Sequence, residues 1–362
     1  MTTAIVPHWL IYVSGHGFGH WSQVAPVLNH ARKLQPGLRL TICTKVPLQQ
    51  LQARLDGAFA YIPVAADFGM VMASALDVLP AESMAAYQRF HSEWDNHIAN
   101  EINRIKKISP DLVLSNVAYM PLAAARSAGV PAVAMCSLNW VDIFRHYCGH
   151  FAGAAEICGQ MLGAYHDSQA FLRMTPSMPM LDMKHLHAIG PVARKGCNRR
   201  AEINSALGLG QEDKLVLVSM GGVAMRLPME RWPRITGVRW LVEAAWQVEH
   251  PEAVVLESLG MDFVDLLASS DALLCKPGYG SFTEAACNGI PVLYVSRDDW
   301  PEEPCLVDWI NQNGLGCEVS REMLEAGALE ETLRQLLARP KPEAVMPTGI
   351  IEAVNFLMRA RH

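Results

Sequence analysis

The chemistry this chain can do is concentrated at three glycine turns and the polar residues beside them. The last turn lies in KPGYGSFTE (276–284). An apolar run, Ala272 to Cys275, feeds Gly278 and Gly280, and a helix is expected from Ser281. A strand that leads through glycines into a helix N-terminus is an anion site, because unpaired backbone N–H groups and the helix dipole both face the ligand. Tyr279 and Ser281 belong to that turn, and Lys276 can neutralise a phosphate there. Glu284 follows Ser281 by three residues, which permits two readings. It can close a capping box on its own helix, or it can accept hydrogen bonds from a sugar diol beside the bound phosphate.

The first turn, GHGFGH (15–20), sets His16 and His20 among Gly15, Gly17 and Gly19. It lacks the full spacing of a dinucleotide fingerprint, and no acidic residue follows the second strand convincingly. His20 opens a helix, where the positive dipole end disfavours imidazolium and favours a neutral ring able to take a hydroxyl proton. A histidine that merely hydrogen-bonds the turn is the plainer alternative, and it is the better description of His16. Gly221 and Gly222 end another apolar run without the Lys-Ser/Thr of a P-loop, so they suit a diphosphate cradle better than an ATPase site. The loop RDDWPEEP (297–304) supplies Asp298, Asp299, Glu302 and Glu303. Carboxylates there suit sugar hydroxyls, a metal, or simply solvent. No Asp-x-Asp occurs, so a metal-bridged diphosphate is not expected. His185-x-His187 has no third ligand close in sequence and is read as leading into a strand.

Strands and helices must alternate to position these turns. Trp9–Ser14, Leu38–Cys43, Asp111–Ser115 and Pro131–Ser137 read as buried strands with helices between them. Lys214–Ser219, Gly237–Leu241, Ala272–Cys275 and Pro291–Val295 repeat the plan. Helical periodicity is expected over Ala81–Ile108, Val141–Leu172 (with Gly149, Gly153 and Gly163 interrupting), Arg321–Ala338 and Ile350–Arg361. This alternation specifies an α/β architecture with mainly parallel sheets, in which sites form outside the carboxyl ends of the strands. Gly, Pro and basic residues cluster at Gly190–Asn198. They divide the 362 residues into domains 1–192 and 193–362, with the last helix free to pack back on the first domain.

Composition excludes several classes. A net charge of −6 with no long basic run argues against a nucleic-acid partner. No interval has the ~20 apolar residues that a membrane span needs. Apolar residues of the first domain offer at most a peripheral lipid contact, and at helical spacing they more often form core. Nine cysteines without a Cys-x-x-Cys pair, and no basic N-terminal region, fit reduced thiols in a cytoplasmic protein.

In this order, the motifs resemble the GT-B glycosyltransferases that use nucleotide-diphosphate sugars. In particular they resemble the glycosyltransferase-like N-terminal region of plant L-arabinokinase and its bacterial stand-alone relatives. The similarity runs through YVSGHGFGH (12–20), DFGMVMASALDV (67–78), PDLVLSNVAYMPLAAARSAGVPAVAM (110–135) and Asn139-Trp140. It continues through SMGG (219–222), KPGYGSFTEA (276–285) and RDDWPEEP. The kinase half has no counterpart. The resemblance implies two Rossmann-like domains with mainly parallel sheets facing across a cleft, an N-terminal acceptor domain and a C-terminal donor domain. A more distant similarity, to the N-acetylglucosaminyltransferase of the peptidoglycan lipid intermediate, aligns His20 with a histidine after the glycine turn. It also aligns Glu284 with a ribose-binding carboxylate. Where that enzyme has paired glutamines, this chain has Glu302-Glu303-Pro304, so the likeness stops short of the donor sugar. The implied activity is inverting, metal-independent and cofactor-free transfer from a UDP-linked sugar to an acceptor that the resemblance does not identify. The donor would be held by Gly17, Gly19, Gly221, Gly222, Lys276, Gly278, Tyr279, Gly280, Ser281, Glu284, Asp298, Glu302 and Glu303. A nucleotide-sugar 2-epimerase or hydrolase, and a non-catalytic nucleotide-sugar sensor, stay open on the same residues.

Overall fold

The structure, a computed structural model, describes residues 6–15, 19–74, 77–221, 226–297 and 299–360. The chain divides into two compact units, one of residues 1–192 and 348–362 and the other of residues 193–347. In the first, the order is β1 (His8–Val13), α1 (Gly19–Leu34), β2 (Arg39–Cys43), α2 (Leu48–Gln52), β3 (Ala60–Ile62), α3 (Pro80–Ser92) and α4 (Trp94–Ile108). There follow β4 (Leu112–Asn116), α5 (Met120–Ala128), β5 (Ala132–Cys136), α6 (Trp140–Cys148), α7 (Ala154–His166), β6 (Ala170–Met174) and β7 (Leu186–Ile189). The second unit has α8 (Arg200–Leu207), β8 (Lys214–Ser219), β9 (Val238–Val242), β10 (Ala253–Val255), α9 (Phe263–Ser269) and β11 (Ala272–Cys275). Its remainder is α10 (Tyr279–Cys287), β12 (Val292–Tyr294), α11 (Glu303–Asn313), β13 (Gly316–Glu318), α12 (Arg321–Ala326) and α13 (Glu330–Ala338). The last helix, α14 (Gly349–Arg359), belongs to the first unit.

Each unit is built on one sheet, with order β3-β2-β1-β4-β5-β6-β7 in the first and β10-β9-β8-β11-β12-β13 in the second. Every pair of neighbouring strands is parallel. Helices therefore cover both faces, which is why β1, β4, β5 and β11 are buried along their whole length. In both sheets the strand order reverses once, between β1 and β4 and between β8 and β11. Connections leave to opposite sides at such a point, so a crevice opens at the strands' carboxyl ends.

Several expected elements are corrected. In the stretch Val141–Leu172, α6 stops at Gly149 and α7 begins after Gly153 as expected, but α7 runs through Gly163, and Ala170–Met174 is a strand paired with β5. Five residues, mostly apolar but including Arg173, are too few for periodicity to tell helix from strand. Ala81–Ile108 is interrupted at Glu93, and Arg321–Ala338 is interrupted at Gly327, whose φ of +67° suits glycine. The short strands β3, β10 and β13 gave no sequence signal.

Helix α14 docks through backbone contact. It packs on α1 and β7, the Gly349 N–H donates to the Pro191 carbonyl (3.1 Å), and the Gly190 N–H donates to Glu352 Oε2 (2.8 Å). A Cβ at Gly349 would stand 2.0 Å from the Gly190 carbonyl oxygen, so two backbones meet where no side chain fits. Gly349→Ala is expected to destabilise the first unit by about 1–3 kcal/mol despite alanine's better helix propensity. Ile351→Ala, at a position 54% exposed, should change stability by under about 0.5 kcal/mol. Urea unfolding of both variants checks this, and equal effects would contradict it.

Candidate functional site

Both reversal points carry the residues singled out by sequence. In the first unit β1 ends at Val13, paired with Asn116 at the end of β4. Gly19 and His20 begin α1, as expected. His16 and Gly17 lie outside the described residues, as do Gly222 and Asp298. His20 is 7% exposed, and its Nδ1 lies 2.8 Å from Asn116 Oδ1. Asn116 Nδ2 donates to the Met135 carbonyl and to Gln23 Oε1, both at 2.8 Å, and Gln23 Nε2 donates to Ser137 Oγ at 3.0 Å. The Cys136 sulfur is 3.9 Å from His20 Nδ1. Each group in this buried chain finds a partner, as burial of polar atoms requires.

The other flank of His20 is the Trp140 ring, with centroids 5.9 Å apart. Trp140 Nε1 donates to Asp67 Oδ2 (2.7 Å), and Ser14 Oγ, at the end of β1, donates to Asp67 Oδ1 (2.8 Å). Asp67 thus joins the glycine turn to the start of α6. Burial raises its carboxyl to about 6, against the opposing effect of the two donated hydrogen bonds. Asn116, Gln23, Ser14, Asp67 and Trp140 received no role from sequence. All but Gln23 lie in the segments that carry the resemblance, yet only the fold brings them around His20.

In the second unit Gly221 follows β8 and Lys276 follows β11, side by side. Gly221 has φ +76°, and a Cβ there would stand 3.3 Å from Lys276 Cε, so glycine both permits the turn and seats the lysine stem. Burial, then the Arg297 guanidinium, lowers the Lys276 ammonium to about 8. An ammonium at a strand end just before a helix N-terminus favours an anion there. The helix starts two residues earlier than expected: α10 begins at Tyr279 with Gly278 as its N-cap. Ser281 is therefore inside the first turn and cannot be the cap, which removes the capping-box reading of Glu284. The first-turn N–H groups of Tyr279, Gly280 and Ser281 have no acceptor within the helix. Glu284 sits in the second turn, 3% exposed.

The acidic loop folds on itself. Glu303 Oε1 and Oε2 accept from the Arg297 N–H (3.0 Å each), and Arg297 Nε donates to Oε2 (3.3 Å). Arg297 Nη2 donates to the Pro277 carbonyl (2.9 Å), tying the loop to the glycine turn. The guanidinium lies 4.7 Å from the Trp300 ring centre, and Trp300 Nε1 donates to Glu302 Oε2 (3.3 Å). Glu302 and Glu303 are each 5% exposed. Among the described residues no group of three or more His, Cys, Asp or Glu is arranged to hold a metal ion. No described helix is long and apolar enough to cross a membrane, and all nine cysteines are free thiols.

No protein-family profile matches the chain. It is 27% identical over 322 residues to L-arabinokinase of Arabidopsis thaliana, covering 87% of this chain and 31% of that protein. The chain thus spans about a third of that relative's length. An uncharacterized glycosyltransferase of Methanopyrus kandleri is 23% identical over 262 residues, covering 68% of this chain and 74% of its own. Among solved structures, the glycotransferase of kitacinnamycin matches with a TM-score of 0.62 at 14% identity, covering 98% of this chain and 96% of that one. The glycosyltransferase VinC in complex with dTDP matches with a TM-score of 0.57 at 16% identity, covering 98% and 99%. The chain has the GT-B glycosyltransferase fold, and the fold and the relatives' names both support glycosyl transfer.

Asp67 gives this site a pH signature. Its folded-state carboxyl, near 6, lies above the ordinary value of 3.8. The folded chain therefore holds the extra proton between those values, and the stability tied to Asp67 falls as pH rises from about 4 through 6. The stability difference between wild type and Asp67→Asn should shift by as much as about 3 kcal/mol between pH 4 and 7. Denaturant unfolding across that range measures it, and a pH-independent difference would contradict the assignment.

Proposed function

We propose that this GT-B chain is a glycosyltransferase. It moves a sugar from a nucleotide-diphosphate donor, a UDP-sugar, to an acceptor hydroxyl, with inversion at the anomeric carbon and no metal ion. The observation that carries this reading is the convergence at the carboxyl ends of β8 and β11. There the Lys276 ammonium packs against Gly221, the α10 N-terminus follows Gly278, and the buried Glu284 lies one turn further along the same helix. Those groups complement the three parts of such a donor. Glu284 accepts from the ribose hydroxyls. The α10 first turn, with Gly278, Gly280, Ser281, Gly221 and Gly222, receives the diphosphate beside Lys276. The loop of Asp298, Glu302 and Glu303 attends the sugar, with Glu303 acting through its hold on Arg297.

In the reaction, the acceptor oxygen attacks the anomeric carbon as its proton passes to His20, and the bond from that carbon to the diphosphate breaks. Charge builds on the leaving diphosphate, where helix N–H groups and cations already point, so stabilisation is greatest in the transition state. This electrostatic arrangement supports a reaction without a metal. UDP as the nucleotide follows from the sequence resemblance.

Two measurements test the donor site. Calorimetry with UDP-, GDP- and dTDP-sugars should detect one class that binds, and Glu284→Gln should weaken it by about 1–3 kcal/mol through a lost charged hydrogen-bond acceptor. Absence of binding, or binding indifferent to Glu284, contradicts the assignment. Lys276 adds a proton signature. A diphosphate next to the ammonium raises its pKa above the unliganded value of about 8. Above pH 8 binding must therefore take up a proton, and affinity must fall as pH rises. Titration in buffers of different ionisation enthalpy reads the uptake. Lys276→Met should abolish it, and uptake that persists in that variant would exclude the lysine as its source.

A further inference from the structure

We propose that Asn116 is a positioning residue that holds His20 as the Nδ1–H tautomer, so that the ring presents its lone pair on Nε2. The argument begins at the Met135 carbonyl, a backbone oxygen of β5 that can only accept. Asn116 meets it at 2.8 Å, so the amide nitrogen must be the atom facing it. The same nitrogen serves Gln23 Oε1, and Gln23 then turns its own nitrogen to Ser137 Oγ. A flipped Asn116 would set oxygen against oxygen at Met135. Its Oδ1 is therefore fixed toward His20, 2.8 Å from Nδ1. An amide oxygen cannot donate, so Nδ1 carries the proton. In the neutral ring Nε2 is then the basic nitrogen.

The backbone supports the same assignment. Val117, next in the chain, has φ +69°, in the left-handed region that a β-branched residue seldom adopts, and its side chain is fully buried. The turn is held by Tyr165, whose hydroxyl donates to the Val117 carbonyl (2.6 Å) and accepts from the Trp140 N–H (3.1 Å). This chain spends strain on the turn that leaves β4, where Asn116 must face β5 and α1 together. The neighbouring titratable groups are the Cys136 thiol, near Nδ1, and Asp67, which lies behind the Trp140 indole. Neither replaces Asn116 as the acceptor of the Nδ1 proton. Because the partner is a neutral amide, it fixes the tautomer without adding a charge that would hold the ring as imidazolium.

Only the catalytic consequence rests on the proposed glycosyl transfer, since the tautomer is readable without turnover. The experiment is long-range 1H–15N correlation on protein labelled at histidine nitrogen, with His20 assigned by its loss in His20→Gln. Wild type at pH 7.5 should give a protonated Nδ1 and an unprotonated Nε2 for His20. The opposite pattern in wild type overturns the proposal and needs no variant that must fold. Asn116→Ala should release the ring to the Nε2–H form or to a mixture, and an unchanged tautomer in a folded variant also overturns it. Asn116→Asp should raise the His20 midpoint by about one pH unit or more, through the added carboxylate. If the tautomer is as stated but no sugar is transferred, the positioning role stands and the transferase reading fails.

Discussion

Parallel pairing is the constraint on which everything else in this molecule depends. Because every pair of neighbouring strands in the two described sheets is parallel, the strands' carboxyl ends gather on one side of each sheet. Strand order reverses once per sheet, so in each unit one pair of strand ends has its connections drawn apart. Those ends are the ones that carry the polar residues. His20 and Asn116 stand at β1 and β4, Gly221 and Lys276 at β8 and β11.

The two sites solve opposite electrostatic problems. Around His20 the partners are neutral amides, a thiol, a serine and a buried indole, with the one carboxylate, Asp67, bonded to Ser14 and Trp140. Such an environment suits proton transfer, because the ring is oriented by a neutral partner. Around Lys276 the chain collects positive potential from a buried ammonium, the Arg297 guanidinium and a helix N-terminus. That arrangement suits a polyanion. The acidic loop looked from sequence like a set of carboxylates aimed at a sugar. Its Glu303 spends both oxygens on Arg297, which weighs against acid–base work by Glu303 on the sugar and hence against the epimerase alternative.

The fold was legible in the sequence where the pattern was long or punctuated. The buried runs at Trp9–Ser14, Lys214–Ser219 and Ala272–Cys275 read as parallel strands because the glycine turns marked their ends. Three-residue strands such as Ala253–Val255 carry too few residues for any periodicity, and Ala170–Met174 is as apolar as the helix before it. The candidate site was half legible. His20, Lys276 and Glu284 announce themselves by position beside glycines. Asn116, Asp67 and Trp140 do not, because their importance is a matter of which side chains meet across 53 to 120 positions of chain, and spacing in sequence holds no record of that. Helix α10 begins before Ser281 for a local reason. Gly278 serves as the N-cap through its extended backbone, with no side-chain signal, whereas Ser281 and Glu284 imitate a capping box.

The most direct measurement of the central claim is a crystal structure with UDP bound. The ribose hydroxyls should lie within hydrogen-bonding distance of Glu284, with the diphosphate at the N–H groups of Tyr279 to Ser281 and beside Lys276. Nucleotide bound elsewhere, or seated on α10 without touching Glu284, would contradict the account.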